Sequence, residues 1–180
     1  MTSATIRAWL HAGTALLLLI LSENGRSWWL TGIAAVALAF DGVRLRVPAV
    51  RRLVERLLPV YRPAEAHRVS GGAWLMVGYA LAGWMPGRAA VGGILAGAVL
   101  DPVAALVGRR LGQGQHKSWA GSAAGMVTAA AALMLVGGSA PEAVFGALVG
   151  AAAERWPGPF DDNLVVAPAV GLALWAAGAA

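Results

Sequence analysis

Four stretches of this chain carry reactive side chains, and each interrupts an otherwise apolar run. The first is Asp101-Pro102, which follows a glycine-rich run, 89–100, that holds no other charge. An ionisable group within a turn of the membrane interior costs several kcal/mol unless it is paired or used. Asp101 is read as a magnesium ligand or a base for an alcohol; neutralisation by Arg109 or Arg110 is the plainer alternative. Pro102 removes a backbone donor and either frees a carbonyl or kinks the helix.

The second stretch runs from Gly108 to Ser122, GRRLGQGQHKSWAGS. Glycine-rich backbone N–H groups and helix N-termini bind phosphates. Lys117 and Ser118 would sit at such an N-terminus, with Gly121 and Ser122 one turn further in. The order required of a P-loop fails, because residue 116 is His. A basic connecting loop explains the same spacing equally well.

The third stretch is Glu154 to Asn163, ERWPGPFDDN. Four oxygen-bearing side chains, Glu154, Asp161, Asp162 and Asn163, crowd a short loop stiffened by two prolines. Hard cations such as magnesium take carboxylate and amide oxygens and keep substrate phosphates as partners. One acid of Asp161 and Asp162 could cap the next helix, but a cap uses only one of them. The fourth stretch is Arg62-x-x-Glu65-x-His67-Arg68-x-Ser70-Gly71-Gly72. His67 is either a base or an incidental interfacial residue. Glu65 with Arg62 or Arg68 makes an ordinary ion pair.

Positioning these groups falls to apolar segments. The chain has 180 residues, 58% hydrophobic and 13% charged, with no cysteine, and its mean hydropathy is +0.66. Soluble domains average about 45–50% apolar and about 25% charged, so a bilayer is the expected solvent. Disulfide scaffolds, thiol chemistry and thiolate metal sites are excluded. The net charge of +5 points to an anionic leaflet rather than nucleic acid, because the basic residues gather in loops between apolar segments. The expected fold is all-α: one polytopic membrane domain over 1–180 with about seven transmembrane helices. These fall at 9–21, 28–40, 71–85, 89–107, 119–136, 143–153 and 164–179. Arg7 followed by an apolar run resembles a signal peptide, but no small-residue cleavage site stands out before Trp28. The first run is therefore expected to be a retained helix. Residues 49–60 alternate Val50, Leu53, Val54, Leu57 and Leu58 with Arg51, Arg52, Glu55 and Arg56. That is an amphipathic helix suited to the cytoplasmic interface. Gly92, Gly93 and Gly97, or Gly146 and Gly150, allow close helix packing and would permit a homodimer.

With a cytoplasmic N-terminus, Arg7, Arg44, Arg46, Arg51, Arg52, Arg56, Arg62, Arg68, Arg109, Arg110, Lys117 and Arg155 share one side. Only Arg26 and Arg88 remain opposite. The positive-inside rule therefore predicts N-terminus in and C-terminus out. Asp41, Glu65, Asp101, Glu154, Asp161 and Asp162 fall on that same inner rim. Such a pattern suits a soluble anionic reactant meeting one that stays in lipid, whereas a transporter places such groups near the midplane.

Taken together, four segments resemble the CTP-dependent polyprenol/dolichol kinase family, which includes phytol kinases and CTP-using diacylglycerol kinases. They are Asp41-x-x-Arg44 with Pro48, Arg62-x-x-Glu65 through Gly71-Gly72, Asp101-Pro102 through Lys117-Ser118-x-x-Gly121-Ser122, and Glu154 through Asp161-Asp162-Asn163. Family members often show Gly-Asp where this chain has Leu100-Asp101. The resemblance implies transfer of the γ-phosphate of CTP, or another nucleoside triphosphate, to the hydroxyl of a membrane lipid alcohol with Mg2+. Polyprenol, phytol, geranylgeraniol and diacylglycerol all qualify. It also implies an inner membrane of bacterial or archaeal type. In that reading Lys117, Ser118, Gly121 and Ser122 cradle the triphosphate, and Arg109 or Arg110 adds positive charge. Asp162, with Asp161 or Glu154, holds magnesium. Asp101 shares the metal or takes the acceptor proton, and Asn163 orients a carboxylate or contacts the nucleotide. Asp41, Arg44, Glu65 and Arg68 close the site. Phosphatidate cytidylyltransferases share some of these features and are the nearest competing enzyme. A small transporter or scaffold is the competing non-enzyme.

Overall fold

The computed structural model describes residues 2–58, 61–111 and 117–179. Among the described residues every regular element is helical and no strand occurs. Helix α1 (Ser3–Gly13) continues through a 3-10 turn at Thr14–Leu16 into a short α2 (Leu17–Ile20). Then come α3 (Arg26–Arg46), α4 (Pro48–Leu57), α5 (Gly71–Gly83), α6 (Gly87–Arg110), α7 (Trp119–Leu135), α8 (Ala140–Arg155) and α9 (Asp162–Ala176).

Three continuous helical segments are long and apolar enough to cross a membrane: Ser3–Ile20, Glu23–Arg46 and Gly87–Arg110. At 1.5 Å per residue, α6 spans about 36 Å, against a hydrocarbon thickness of about 30 Å. Helices α7 and α9 are apolar but shorter. Helix α3 runs on past the expected end at residue 40, because Asp41 and Arg44 continue it and are buried against the following loop. Pro102 does not break α6, which extends to Arg110. Helix α4 begins on Pro48, a residue preorganised for a first turn. It ends at Leu57; Pro59, a residue type that stops helices, lies outside the described residues.

Side-chain caps set several starts. Ser70 accepts from the Ala73 amide (3.2 Å) and Ser118 from the Gly121 amide (2.9 Å). Ser139 and Glu142 form a capping box on α8, and Asp161 caps α9.

Helices α6 and α9 lie at the centre and belong to two packed clusters. One joins Leu100, Leu133, Val166, Val170 and Leu174 across α6, α7, α8 and α9. The other joins Leu30, Leu75, Tyr79, Ile94 and Ala167 across α3, α5, α6 and α9. Small residues make this packing close. A Cβ on Gly93 would come within 2.6 Å of the Ala167 carbonyl, and one on Gly78 within 2.8 Å of the Asn163 carbonyl. The Gly78 contact pins α5 beside the start of α9. Large apolar side chains point outward instead: Leu19, Ile20, Trp28, Val36 and Leu135 are all exposed. A core of small residues inside an apolar exterior is how helices pack when lipid is the solvent.

Candidate functional site

Three helices deliver one carboxylate each to a common point. Asp101 lies on α6, Glu154 in the last turn of α8, and Asp162 opens α9. One ligand oxygen from each lies within 4.8 Å of the others. Lys117, just ahead of α7, reaches into the group. Its Nζ is 3.0 Å from Glu154 Oε1 and 2.7 Å from Asp162 Oδ2, and it donates to the Glu154 carbonyl as well. Glu154 is only 3% exposed, so its charge depends on this partner. Burial pulls the Lys117 ammonium down, but the Asp162 and Glu154 carboxylates outweigh it and hold the group above the ordinary lysine value. Lys117 is therefore cationic at neutral pH. Three carboxyl groups beside one ammonium make an all-oxygen set of a kind that suits a hard divalent cation.

The neighbouring residues divide between contact and support. Ser118 spends its hydroxyl oxygen on the Gly121 amide, and its carbonyl accepts from the Ser122 amide (2.9 Å). Gly121 lets α7 approach the Ala104 carbonyl of α6. The Ser122 hydroxyl donates to Glu154 Oε2 (3.3 Å) and accepts from Arg155 (3.3 Å), whose guanidinium stacks 3.7 Å from the Trp119 ring. Ser122 therefore touches the cluster from behind. Asp161 stands outside the carboxylate trio. Its Oδ1 accepts from the Asn163 amide (3.2 Å) and side-chain nitrogen (2.7 Å). Asn163 is itself buried against Gly71, where a Cβ would meet its Nδ2 at 2.8 Å. Of the glycine-rich stretch, residues 112–116 lie outside the described residues.

Asp41, Arg44 and Glu65 form a buried brace, to which the exposed Arg68 lends only its backbone carbonyl. Asp41 and Arg44 are each 1% exposed. Arg44 Nε donates to Asp41 Oδ1 (2.7 Å), and its two terminal nitrogens donate to the carbonyls of Glu65 (2.9 Å) and Arg68 (2.8 Å). Asp41 Oδ2 accepts from the Ser70 amide (2.6 Å). Glu65 accepts from the amides of Arg62 (2.6 Å) and Gly71 (2.8 Å). The charges of Asp41, Arg44 and Glu65 are spent on fixing the 62–71 loop between α4 and α5. His67 lies 3.4 Å from Arg51 of α4, at the exposed surface.

Two hollows flank the trio. One, of about 440 Å3, is lined by Arg62, Arg68, Lys117, Asp161 and Asp162, with Trp74, Phe160, Pro157 and Pro159. The other, of about 260 Å3, lies between α1, α5 and α6. Asp101, Arg7, His11, Tyr61, Arg109 and Glu65 give it its polar lining. Arg62 borders both, and Arg110 borders neither. Arg7 and His11 were not expected at a site. The available signal was their spacing, since residues four apart share one helix face. His11 Nε2 lies 3.0 Å from the Gly97 carbonyl, so that nitrogen carries the proton, and Nδ1 lies 3.5 Å from Asp101 Oδ2.

No protein-family profile, curated protein or solved structure matches this chain.

Proposed function

We propose that this protein is an integral membrane lipid kinase of the CTP-dependent polyprenol kinase kind. It transfers the γ-phosphoryl group of CTP, or another nucleoside triphosphate, to the hydroxyl of a membrane lipid alcohol. The observation that carries the reading is the convergence of Asp101, Glu154 and Asp162 on Lys117. Phosphoryl transfer asks a protein mainly for positioning and charge neutralisation, which a carboxylate-held cation and a lysine supply.

The larger hollow takes the nucleotide. Lys117, Arg62 and Arg68 meet the triphosphate, and Trp74 and Phe160 offer apolar faces to the base. Asp162 and Glu154 would hold Mg2+, which when bound neutralises charge on the transferring phosphate, leaving Asp101 beside it as the base. The alcohol oxygen attacks the γ-phosphorus, the bond from that phosphorus to the β–γ bridging oxygen breaks, and the nucleoside diphosphate departs. The hydroxyl proton passes to the Asp101 carboxylate.

The membrane placement belongs to the same proposal: about seven spans, N-terminus inside and the site at the cytoplasmic face. Arg7, Arg62, Arg68, Arg109 and Lys117, which the charge count puts on one side, all line the two hollows. Trp119 packs on Trp156 at that end of the bundle, while Trp28 packs on Trp84 at the end where Arg88 pairs with Glu142. Paired tryptophans at both ends suit two interfacial belts.

The test is purified protein with γ-labelled CTP, magnesium and a panel of lipid alcohols. Label in lipid, abolished in Asp162→Ala, is expected. Label in pyrophosphate would favour cytidylyl transfer instead, and solute flux in nucleotide-free liposomes would favour a transporter.

A further inference from the structure

We propose that helix α4 docks on the anionic phospholipid headgroups of the leaflet where α3 ends, with Leu53 and Leu57 in the acyl boundary and Arg46, Arg52 and Arg56 at headgroup level. The inference rests on the membrane placement given above for α3, and not on the phosphotransfer reading.

The chain fixes where α4 lies. The continuous helical segment Glu23–Arg46 is long and apolar enough to cross a membrane. One residue, Val47, separates its end from Pro48, the first residue of α4. A helix joined so closely to the end of a span starts at the bilayer surface. Its 10 residues are too few to cross the bilayer themselves.

The faces of α4 specify what it meets. Successive residues turn by about 100°, so residues four apart share a stripe. Val50 and Val54 make the inward stripe, with Val54 buried and Val50 partly so. Beside it run Leu53 and Leu57, 55% and 65% exposed. Beyond these come Arg56 and Arg52, both exposed, and then Glu55. Arg51 closes the circle on the side of the 62–71 loop, where His67 lies 3.4 Å from it. Two leucines set between a packed stripe and an arginine stripe call for a cover that is apolar below and anionic beside. Acyl chains topped by anionic headgroups have that order, and the end of α3 already lies among them.

The charge is one-sided. From Gly42 to Leu58 the sequence holds five arginines and one acid, Glu55. Arg44 is spent on the brace, and Arg46, Arg52 and Arg56 join no ion pair among the described residues. An arginine stem lies along apolar surface while its guanidinium reaches a phosphate and grips it with two N–H groups.

The chain has no cysteine, so a single introduced cysteine carries the only nitroxide. The experiment places the full chain in liposomes of phosphatidylcholine, with or without phosphatidylglycerol. Labels sit at Leu53→Cys, Glu55→Cys and, on the exposed side of α3, Val36→Cys. Electron paramagnetic resonance compares collision with oxygen, which favours lipid, against a neutral nickel chelate, which favours water. The Val36 and Leu53 labels are expected in lipid and the Glu55 label in water. Phosphatidylglycerol should raise the oxygen-to-chelate ratio at Leu53 at least about threefold, molar salt should reverse the rise, and the triple variant Arg46→Gln, Arg52→Gln, Arg56→Gln should abolish it. Should Leu53→Cys misfold, Leu57→Cys takes its place. Water exposure of the leucine label with Val36 in lipid overturns the docking and spares the span. So does a ratio indifferent to phosphatidylglycerol, or dipolar coupling between the leucine labels of two chains. Val36 in water overturns both. A leucine label in lipid that responds to phosphatidylglycerol, with no phosphoryl transfer from any nucleotide, would sink the kinase reading and spare the docking.

Discussion

The two hollows beside the carboxylate trio are built from different material. The larger one is framed by loops and helix ends: the 62–71 segment, Lys117 before α7, and the 157–162 turn with its two prolines. The smaller one shares the 62–71 segment through Arg62, Glu65 and Ser70, but its other walls are helices α1, α5 and α6, and α1 has an apolar outer side. Under the proposed reading the loop-framed hollow would admit a triphosphate from water, and the other would open along the apolar outer side of α1. Under that reading one cluster would serve two phases through two doorways.

That division can be broken at the shared cluster, on either side, or away from both. The largest effect belongs to the cluster. Asp162→Asn and Lys117→Met should each lower turnover by about 10^3-fold, the scale of losing a preorganised charge in a catalytic site. Circular dichroism should report an unchanged helix content. The brace comes next. Arg44→Met leaves Asp41 buried and unpaired, which costs about 3–5 kcal/mol of stability. Thermal unfolding in detergent should show the loss, and both hollows should suffer because Arg62 borders each. On the lipid side alone, His11→Ala should raise the acceptor concentration for half-saturation about tenfold and leave nucleotide affinity unaltered. A joint loss of both would erase the division. Ser118→Ala removes the α7 cap and should cost about 1 kcal/mol, read as a small drop in melting temperature. Smallest of all is Glu142→Gln at the opposite end of the bundle, where neither nucleotide affinity nor acceptor saturation should move.

The trio was legible before any coordinates because charges inside an apolar chain are conspicuous. Asp101 stood out by the cost of its place, Glu154 and Asp162 by the crowding of oxygens at 154–163, and Lys117 by its position ahead of a helix, and the helices that carry them follow the apolar runs closely. What stayed hidden depends on three-dimensional partners. Asp161 and Asp162 are adjacent and chemically identical; only the turn of the chain makes the first a cap and the second a cluster member. Asp41 and Arg44 entered the site reading through the family resemblance, yet their hydrogen bonds are spent on holding the 62–71 loop. Gly121 looked like part of a phosphate cradle, and its amide goes to Ser118 while its missing side chain admits the α6 backbone. His11 sat in a helix whose nearest charge, Arg7, read simply as a cytoplasmic marker. Nothing local announces that α1 folds over Asp101, since that contact spans most of the chain's first hundred residues.

The most direct test of the cluster's role is electron paramagnetic resonance of Mn2+ titrated into the protein with a non-hydrolysable CTP analogue. One bound Mn2+ per chain is expected with nucleotide present, and its signature should vanish in Asp162→Asn. Equal Mn2+ binding by that variant, or tight nucleotide binding indifferent to the divalent ion, would contradict a carboxylate-held metal at this point.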